Sequence, residues 1–212
     1  MVSRIVTVAQ QKGGAGKTTV AINLAVQWAA SGLNVAILDI DPQASITAWS
    51  SIREGQKGLA PLTISAVSGW RTATEIDRLK GNHDLVVIDS PPHAETAARA
   101  AVRASDLTVV PVQLSPMDLW ATGATIELAR AERRPVMLVL NRVPPRGHLA
   151  DTIRSLIAEK NLPLARTALG NRQAFAAAVL AGQGVAEAEP GSPAAEEIAA
   201  LAQELHDRLN QL

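Results

Sequence analysis

The sequence has no cysteine, no tyrosine and a single phenylalanine among its 212 residues. Without cysteine, the chain cannot form disulfides, thiolate zinc sites or iron–sulfur clusters, and it cannot use a cysteine nucleophile. With so few phenyl rings, it also lacks the rows of aromatic side chains on which single-stranded bases stack. These absences exclude disulfide-rich secreted domains, thiolate metalloproteins and aromatic single-strand binders.

Net charge and long hydrophobic runs are missing as well. Twenty lysines and arginines balance twenty aspartates and glutamates, which excludes a uniformly basic surface but allows a local basic patch. No apolar run reaches the roughly 18 to 20 residues that cross a bilayer, and the opening MVSRIVTVAQ does not have the pattern of a signal segment. We therefore expect a soluble cytoplasmic protein, with a single domain over residues 1–212.

Short apolar runs rich in β-branched residues alternate with helical patterns along the chain. Strands are predicted at residues 5–9, 35–40, 84–89, 107–112 and 136–140, with weaker ones near 62–67 and 164–168. Helices are predicted after the first strand, near residues 44–54, 71–80, 94–104, 118–133, 148–160 and 172–181, and at the C-terminal end, with a loop at 189–193. This alternation predicts an α/β fold: a doubly wound, mostly parallel sheet flanked by helices.

A glycine-rich segment, QQKGGAGKTT, lies between the first predicted strand and the helix that follows it. Its glycines let backbone N–H groups curl around phosphate oxygens, and the helix N-terminus adds partial positive charge. Lys17 is expected to neutralise the β- and γ-phosphates, and the Thr18 hydroxyl to ligate Mg²⁺. The residues expected to hold the nucleotide in this loop are Lys12, Gly13, Gly14, Ala15, Gly16, Lys17, Thr18 and Thr19.

The loop departs from the usual phosphate-loop pattern, G-x-x-x-x-G-K-[ST], at its first position. That glycine would fall at position 11, which is Gln11, whereas a second lysine, Lys12, stands just before Gly13. The segment could instead be a glycine-rich turn with a solvated lysine. Because the glycines, the lysine, the threonine, the strand before and the helix after all agree, we favour nucleotide binding on a P-loop NTPase fold.

Three aspartates follow two predicted strands at their carboxyl ends, where ligands bind in open α/β sheets. Side chains alternate along a strand, so Asp39 and Asp41 should point the same way. We expect Asp41 to orient the attacking water, and Asp39 to support Mg²⁺ or Lys12. Asp89 resembles a Walker B aspartate, which holds Mg²⁺ or its water. The alternative for the first two is that one of them caps the following turn or helix.

The segments KGGAGKTT, LDIDPQ and VVIDSPP, in this order and spacing, resemble the deviant Walker A ATPases of the ParA/MinD type, a SIMIBI-class family. The resemblance covers essentially the whole chain and is strongest to the short ParF-type ParA partition proteins, which have no N-terminal DNA-binding extension. It implies ATP and Mg²⁺ as cofactors. It also implies that Lys12 is the signature lysine, which crosses an ATP-sandwiched homodimer, with Gly14 and Gly16 at the dimer face. Asp41 then matches the hydrolytic aspartate, so the catalytic residues implied are Lys12, Lys17 and Asp41.

The same resemblance singles out two features further along the chain. Asn141 matches an asparagine that can read adenine, since an amide can both donate to and accept from the base edge. Residues 111–116 resemble a proline-bounded loop near the nucleotide and the dimer face. Alternatively, the two prolines simply end a strand and start a helix, with Asp118 as an N-cap-like residue.

Several branches of this family are excluded by composition. The nitrogenase iron protein, the iron–sulfur carriers and the best-known arsenite pumps need cysteines, and the bacterial tyrosine kinases need tyrosines. MinD-like proteins carry a basic amphipathic membrane helix, whereas the last helix here combines an apolar stripe with acidic faces. We therefore expect the stripe to pack on the core or to dock a partner, and we expect no membrane binding. The stripe consists of Ile198, Leu201, Leu205, Leu209 and Leu212.

DNA is the remaining partner to consider. Residues 130–172 hold nine basic and three acidic groups, a charge segregation that suits weak, sequence-independent binding of double-stranded DNA. Arg146, Arg154 and Arg172 are expected to contribute. Alternatively, these arginines lie on different faces and only solubilise the helices; the family resemblance favours DNA.

Two functions remain open from the sequence. The first is a partition or positioning ATPase, associated with the nucleoid, whose ATP-bound dimer binds DNA and whose hydrolysis is stimulated by a ParB-like or cargo adaptor protein. The alternative is a carboxylate-activating enzyme of the dethiobiotin or cobyrinic acid synthetase type. The extra lysine and the DxDPQ segment favour the first, and the identity of the cargo stays open.

Overall fold

The computed structural model of the protein describes residues 3–92 and 95–212. Within them, a six-stranded sheet has the strand order β3-β2-β4-β1-β5-β6, and every neighbouring pair is parallel. The strands are β1 (Arg4–Val8), β2 (Val35–Asp39), β3 (Thr63–Ala66), β4 (Leu85–Asp89), β5 (Leu107–Val112) and β6 (Val136–Leu140). The predicted doubly wound, parallel α/β fold is therefore confirmed.

Helices cover both faces of this sheet, and those with predicted bounds lie within a few residues of them. The short helix at Val185–Ala188 was not predicted. The helices are α1 (Lys17–Ala30), α2 (Ser45–Arg53), α3 (Thr72–Lys80), α4 (Glu95–Ala104), α5 (Pro116–Ala131), α6 (Leu149–Glu159), α7 (Gln173–Leu180), α8 (Val185–Ala188) and α9 (Pro193–Asn210), with a 3₁₀ turn at Gly69–Arg71. None of the described helices combines the length and the apolar character that crossing a membrane requires.

The core is divided into layers by the alternation of side chains along the strands. In β4, Val87 packs with α1 and α9 on one side of the sheet, while Val86 and Ile88 pack on the other side with α3 and α4. The apolar stripe of α9 is buried in the first of these layers, as predicted, at Ile198, Leu201, Leu205 and Leu209. Leu212 was predicted to belong to the stripe, but it lies past the end of α9 and is exposed.

The weak strand predicted at residues 164–168 is wrong. This segment meets β6 in an isolated bridge between Leu138 and Leu164. Ala165 N donates to Leu138 O, but Leu169 N donates to Leu140 O, both at 2.8 Å. The acceptors Leu138 and Leu140 are two residues apart, but the donors Ala165 and Leu169 are four residues apart. The segment therefore does not keep step with β6, and no regular strand forms.

The start of α5 also differs from the prediction. The helix begins at Pro116, whose fixed φ suits a first helical position, and Ser115 stands before it with extended backbone. Asp118 is therefore the third residue of α5 and not an N-cap-like residue. From this position the Asp118 side chain pairs with Lys12 of the glycine-rich loop.

Because all the strands are parallel, their carboxyl ends meet at one edge of the sheet. In the register of the sheet, Asp89 pairs with Asp39 of β2 on one side and with Val8 of β1 on the other. The glycine-rich loop follows β1 directly, so it emerges beside both aspartates. Asp84 precedes the amino end of β4, at the opposite edge of the sheet and away from the site.

Candidate nucleotide-binding site

The glycine-rich loop has a backbone that depends on two of its glycines. Gly14 and Gly16 have φ of 78° and 89°, a region that L side chains rarely adopt. A Cβ on Gly16 would also lie 2.5 Å from Asn141 Nδ2. The loop ends at Lys17, the first residue of the 14-residue helix α1. Its turn therefore leads straight into the free N–H groups of a helix N-terminus, which attract phosphate.

Two side chains from distant strands hold the loop by its carbonyl groups. Gln113 Nε2 donates to Gly14 O at 2.7 Å, and Asn141 Nδ2 donates to Ala15 O at 2.8 Å. Bonds to the carbonyl oxygens leave the loop N–H groups available for an anion. Gln113 belongs to the segment 111–116 that the family resemblance placed near the nucleotide, although the sequence analysis gave its side chain no role of its own.

Thr18 and Asp89 form the part of the site that suits a magnesium ion. Thr18 Oγ1 donates to Asp89 Oδ2 at 2.6 Å. Asp89 Oδ1 is buried and has no hydrogen-bond partner within the described residues. A hydroxyl beside an unpartnered carboxylate oxygen is a donor set that Mg²⁺ accepts, so these residues fit the ion. Within the described residues, no group of three or more histidine, cysteine, aspartate or glutamate side chains could hold a metal. An ion here would therefore take further ligands from water and phosphate.

The charges around this point are perturbed by burial. Burial raises the pKa of Asp89 to about 7, opposed by the hydrogen bond from Thr18 and by the nearby Lys17, and supported by the charges of Asp39 and Asp41. Burial also lowers the pKa of Lys17, although Asp89 and Asp41 attract its charge. Both groups are thus short of compensating charge, which the binding of an anion and a cation together would supply.

Asp39 and Asp41 have different surroundings. The two oxygens of Asp39 accept hydrogen bonds from Asp41 N at 3.0 Å and from Ile46 N at 3.1 Å, inside α2. Burial raises the pKa of Asp39, and these backbone bonds oppose the rise. Asp41 is half-buried, and one of its oxygens accepts from Gln43 N at 2.9 Å. Asp39 thus caps the following turn and the start of α2, and Asp41 caps the turn at Gln43, while the metal role expected for Asp39 stays a prediction.

Lys12 has another partner than the one expected. Its Nζ lies 2.8 Å from Asp118 Oδ2, and Asp118 is buried. The expected support of Lys12 by Asp39 is therefore wrong. The sequence analysis missed this pair because it offered Asp118 as an N-cap-like residue at the start of a helix, whereas the side chain points inward from the first turn of α5.

A cavity of about 410 Å³ opens beside the loop and the start of α1. Gly16, Thr19, Asn141 and Phe175 are among the residues that line it. Asn141 Oδ1 accepts from Arg142 N at 3.0 Å while Nδ2 donates to Ala15 O, so both ends of the amide are held in a fixed orientation. The cavity combines an apolar wall with a fixed polar group, as small-molecule sites do.

The basic residues proposed from the sequence differ in whether they already have an acidic partner. Arg172 lines the same cavity and forms an ion pair with Glu197 at 2.6 Å. The ion pair with Glu197 must open before Arg172 can contact DNA, and that contact stays a prediction. Arg146 is exposed in the loop between β6 and α6, and Arg154 is half-buried on α6. Within the described part of the chain, neither has a carboxylate within 4.0 Å.

Comparison with known proteins matches this site to a nucleotide-binding domain. A family model described as the CobQ/CobB/MinD/ParA nucleotide binding domain matches residues 6–185. The chromosome-partitioning ATPase Soj of Thermus thermophilus is 48% identical over 50 residues, which are 24% of this chain and 20% of Soj. The chain's matches to the first curated relatives span 34%, 20% and 27% of their lengths.

Solved structures of similar fold cover nearly the whole chain. The septum site-determining protein MinD of Pyrococcus horikoshii, complexed with Mg-ADP, has a TM-score of 0.77 at 19% identity and covers 96% of both chains. Cyanothece McdA, solved with ATP as an aspartate-to-alanine variant, has a TM-score of 0.79 at 17% identity and covers 97% of both chains. At these identities, the likeness shows a common fold.

Proposed function

The chain belongs to the CobQ/CobB/MinD/ParA nucleotide-binding family, and from this membership and the geometry of the site we propose that it is a ParA-type positioning ATPase. It binds ATP with Mg²⁺ and forms a dimer around the nucleotide. The dimer binds double-stranded DNA without sequence preference. Hydrolysis, stimulated by a ParB-like or cargo adaptor protein, then releases the DNA while a plasmid, a chromosome or a protein assembly is moved or spaced.

One observation carries the proposal: the contact between Thr18 and Asp89 at the end of the phosphate loop. It brings together the last element of the loop and the carboxyl end of β4, with Asp89 Oδ1 buried and unpartnered among the described residues. Thr18 and Asp89 would hold Mg²⁺. The ion, when bound with ATP, neutralises charge on the β- and γ-phosphate oxygens.

The fixed amide of Asn141 supports ATP as the nucleotide. Rotating the amide by half a turn would set its oxygen against Ala15 O and its NH₂ group against Arg142 N–H. The second N–H of the amide and the second lone pair of its oxygen therefore face the cavity in a fixed arrangement of donor and acceptor. Adenine and guanine present opposite donor and acceptor patterns on their six-membered ring, so a fixed amide can favour one of them. The family favours adenine.

Lys17 and Asp41 are the residues proposed for hydrolysis. Phosphoryl transfer is catalysed mainly by positioning and by stabilising charge on the transferred group. Lys17, buried at the start of α1, supplies positive charge to the β- and γ-phosphates. Asp41 is half-buried and has one oxygen engaged with Gln43 N, so its other oxygen can orient the attacking water. Asp39 acts indirectly, by holding the Asp41 backbone and the start of α2.

The partners proposed follow from the family and from the charges on the surface. Lys12 is proposed to reach the phosphates held by the other protomer, as the family resemblance implies. Arg146 and Arg154 are proposed as contacts to DNA phosphates, and dimerisation would double this patch. The relative Soj is a chromosome-partitioning ATPase, which agrees with this function.

The test is an electrophoretic shift of random-sequence duplex DNA with Mg²⁺ and ATP, compared with ADP. We expect a shift with ATP that weakens steeply as salt rises, because phosphate contacts release counterions. Asp41→Ala should abolish hydrolysis while keeping the ATP-dependent shift, and Arg146→Ala should weaken the shift at unchanged ATP binding. Absence of any shift at low salt, or normal hydrolysis by Asp41→Ala, would contradict the proposal.

The same preparation tests the carboxylate-activating alternative, which the family keeps open because its description also names CobQ and CobB. An ATPase activity stimulated by small carboxylic acids, and unaffected by DNA together with a partner protein, would favour that alternative. Stimulation by DNA and a partner, with no response to the acids, would favour the positioning ATPase.

A further inference from the structure

The C-terminal helix α9 reaches the cavity beside the phosphate loop through two neighbouring residues. Ile198 is buried and lines the cavity. Glu197 precedes it, and both oxygens of its carboxylate are engaged. Oε2 accepts from Gly170 N at 2.9 Å, and Oε1 accepts from Arg172 Nε at 3.0 Å and Arg172 Nη2 at 2.6 Å. Because Gly170 and Arg172 both line the cavity, a carboxylate of α9 holds one of its walls.

The ion pair between Glu197 and Arg172 packs directly on the backbone of this wall. A Cβ on Gly170 would lie 3.0 Å from Arg172 Nε and 3.2 Å from Glu197 Oε1, which is closer than ordinary van der Waals contact. The Glu197 side chain is 21% exposed and that of Arg172 is 40% exposed. The pair is therefore partly shielded from water, and its hydrogen bonds are charge-assisted. The position of the wall thus depends on one carboxylate.

The same wall is bonded on its other side to the segment that carries Asn141. Leu169 N donates to Leu140 O at 2.8 Å, and Val143 N donates to Leu169 O at 2.9 Å. Asn171 N also donates to Val143 O, at 2.8 Å. Asn141 lies between these partners in the chain and is the fixed polar group of the cavity. A shift of the wall would therefore change the width of the cavity next to Asn141.

A second carboxylate of α9 holds the same segment outside the cavity. The oxygens of Glu204 accept from Arg166 N at 2.8 Å and from Thr167 N at 3.0 Å, and Arg166 Nε lies 3.7 Å from Glu204 Oε1. Glu197 and Glu204 are spaced i, i+7, so they share one face of the helix. Arg166, Thr167 and Glu204 line a separate, shallow depression. The two carboxylates therefore make the same kind of contact, but only the contacts of Glu197 reach the wall of the nucleotide cavity.

We propose that Glu197 is a positioning residue for the nucleotide, which sets the width of the cavity for the base through Gly170 and Arg172. The inference rests on the proposed function, since it takes ATP as the ligand of this cavity. A wall that is held in place before binding reduces the entropic cost of binding. Loss of the carboxylate should therefore weaken the contacts to the base and leave those to the phosphates unchanged.

The experiment compares ligands with and without a base by isothermal titration calorimetry in the presence of Mg²⁺. ADP and the non-hydrolysable ATP analogue AMPPNP carry the base, whereas pyrophosphate and tripolyphosphate offer only phosphates to the loop. Glu197→Ala should raise the dissociation constants of ADP and AMPPNP about tenfold, and should leave those of pyrophosphate and tripolyphosphate unchanged. In ATP hydrolysis, KM should rise by a similar factor while kcat stays the same.

Glu204→Ala is the matched control. It removes the same group from the same face of α9 and also frees backbone N–H groups of the segment, so it should leave all four dissociation constants unchanged. Glu197→Gln keeps the length of the side chain and one acceptor oxygen. It should show the same selective loss of ADP and AMPPNP by a smaller factor, and it replaces Glu197→Ala in the comparison if that variant does not fold.

The outcomes separate the inference from the function on which it rests. A wild-type chain that binds none of the four ligands would overturn the proposed function, and the inference with it. If the wild type binds them, but loss of the Glu197 carboxylate leaves nucleotide binding unchanged or weakens both kinds of ligand equally, Glu197 does not position the base and the function stands. A selective loss in Glu204→Ala as large as in Glu197→Ala also overturns the inference, because the whole segment would then set the cavity.

Discussion

Lys12 Nζ lies 2.8 Å from Asp118 Oδ2, so the extra lysine of the phosphate loop is paired with a carboxylate of its own chain. Asp118 is buried in the first turn of α5, where the helix N-terminus also stabilises its charge. A lysine that is to reach the phosphates of another protomer must first leave this partner. Breaking the pair leaves the buried Asp118 carboxylate without its counter-charge, which opposes dimerisation. This cost is offset only if Lys12 gains an anion of higher charge, such as a triphosphate, as its new partner.

Removing the charge of Asp118 should therefore favour the dimer. In Asp118→Asn, a nearly isosteric change, Lys12 loses its partner within the chain. We expect the dissociation constant of the AMPPNP-bound dimer to fall about tenfold, which corresponds to about 1.4 kcal/mol. The dimer should also form more readily with ADP. Analytical ultracentrifugation measures both, and a dissociation constant that rises would mean that Asp118 holds Lys12 in its active position.

The raised pKa of Asp89 predicts how stability depends on pH in the absence of metal and nucleotide. Burial raises this pKa from 3.8 to about 7, so the folded chain binds the proton more tightly than the unfolded chain does. The stability that this proton contributes is fully present below the unfolded pKa and is lost as pH rises through the folded pKa. The thermal midpoint should therefore fall between about pH 4 and about pH 7 and level off above that, and it should fall less in Asp89→Asn, which has no charge to bury.

Differential scanning fluorimetry of the two proteins over this range makes the comparison. Added Mg²⁺ and ATP should stabilise the wild type at the alkaline end and should have a weaker effect on Asp89→Asn, because the carboxylate would then be paired. Parallel pH profiles for the two proteins would show that Asp89 is not the group responsible.

Loss of the Asn141 amide should reduce the choice between nucleotides. Asn141→Ala removes both the bond to Ala15 O and the polar group in the cavity. We expect ATP binding to weaken about tenfold and the preference for ATP over GTP to decrease, since the cost is that of one polar contact and one loop anchor. Titration with fluorescent nucleotides measures both constants.

Gln113→Ala is the matched control for that prediction. Gln113 anchors the same loop through Gly14 O, but it does not line the cavity beside Asn141. It should weaken ATP and GTP by the same factor. If Asn141→Ala also weakens both equally, Asn141 only anchors the loop and does not read the base.

A buried ion pair far from the nucleotide should dominate the stability of the C-terminal part of the fold. Arg53 donates to both oxygens of Glu187, at 2.8 and 2.7 Å, and both side chains are buried. Arg53 also donates to Gly182 O and Ala60 O, so it joins the end of α2 to the segment before α8. Arg53→Ala should lower the free energy of unfolding by about 3 to 5 kcal/mol, because it leaves Glu187 buried and unpaired.

Urea unfolding followed by circular dichroism measures this change. Arg103→Ala is the control, because Arg103 pairs with Glu132 on the exposed surface of the molecule and should change the unfolding midpoint little. A small effect of Arg53→Ala would show that water enters and solvates Glu187.

Features that depend on residues close together in the sequence were predicted correctly, whereas features that depend on residues far apart in the sequence were not. The strands β5 and β6 were predicted to the residue, and the loop from Gly13 to Thr18 was identified, because these features depend on neighbours in the chain. The strand predicted at residues 164–168 was wrong because its pairing with β6 depends on register, which local composition does not encode. The role predicted for Asp39 in the chemistry stays a prediction, and the structure adds two backbone partners that its sequence pattern did not specify.

Local periodicity and the Gly-Lys-Thr loop were thus enough to establish the fold class and the kind of ligand, since each is encoded within a few consecutive residues. The partners inside the site were decided by tertiary structure. Thr18 and Asp89 are 71 residues apart, Lys12 and Asp118 are 106 apart, and Asn141 and Ala15 are 126 apart. Such pairs form because parallel strands bring their carboxyl ends to one edge of the sheet, and a linear pattern does not specify which side chains meet there.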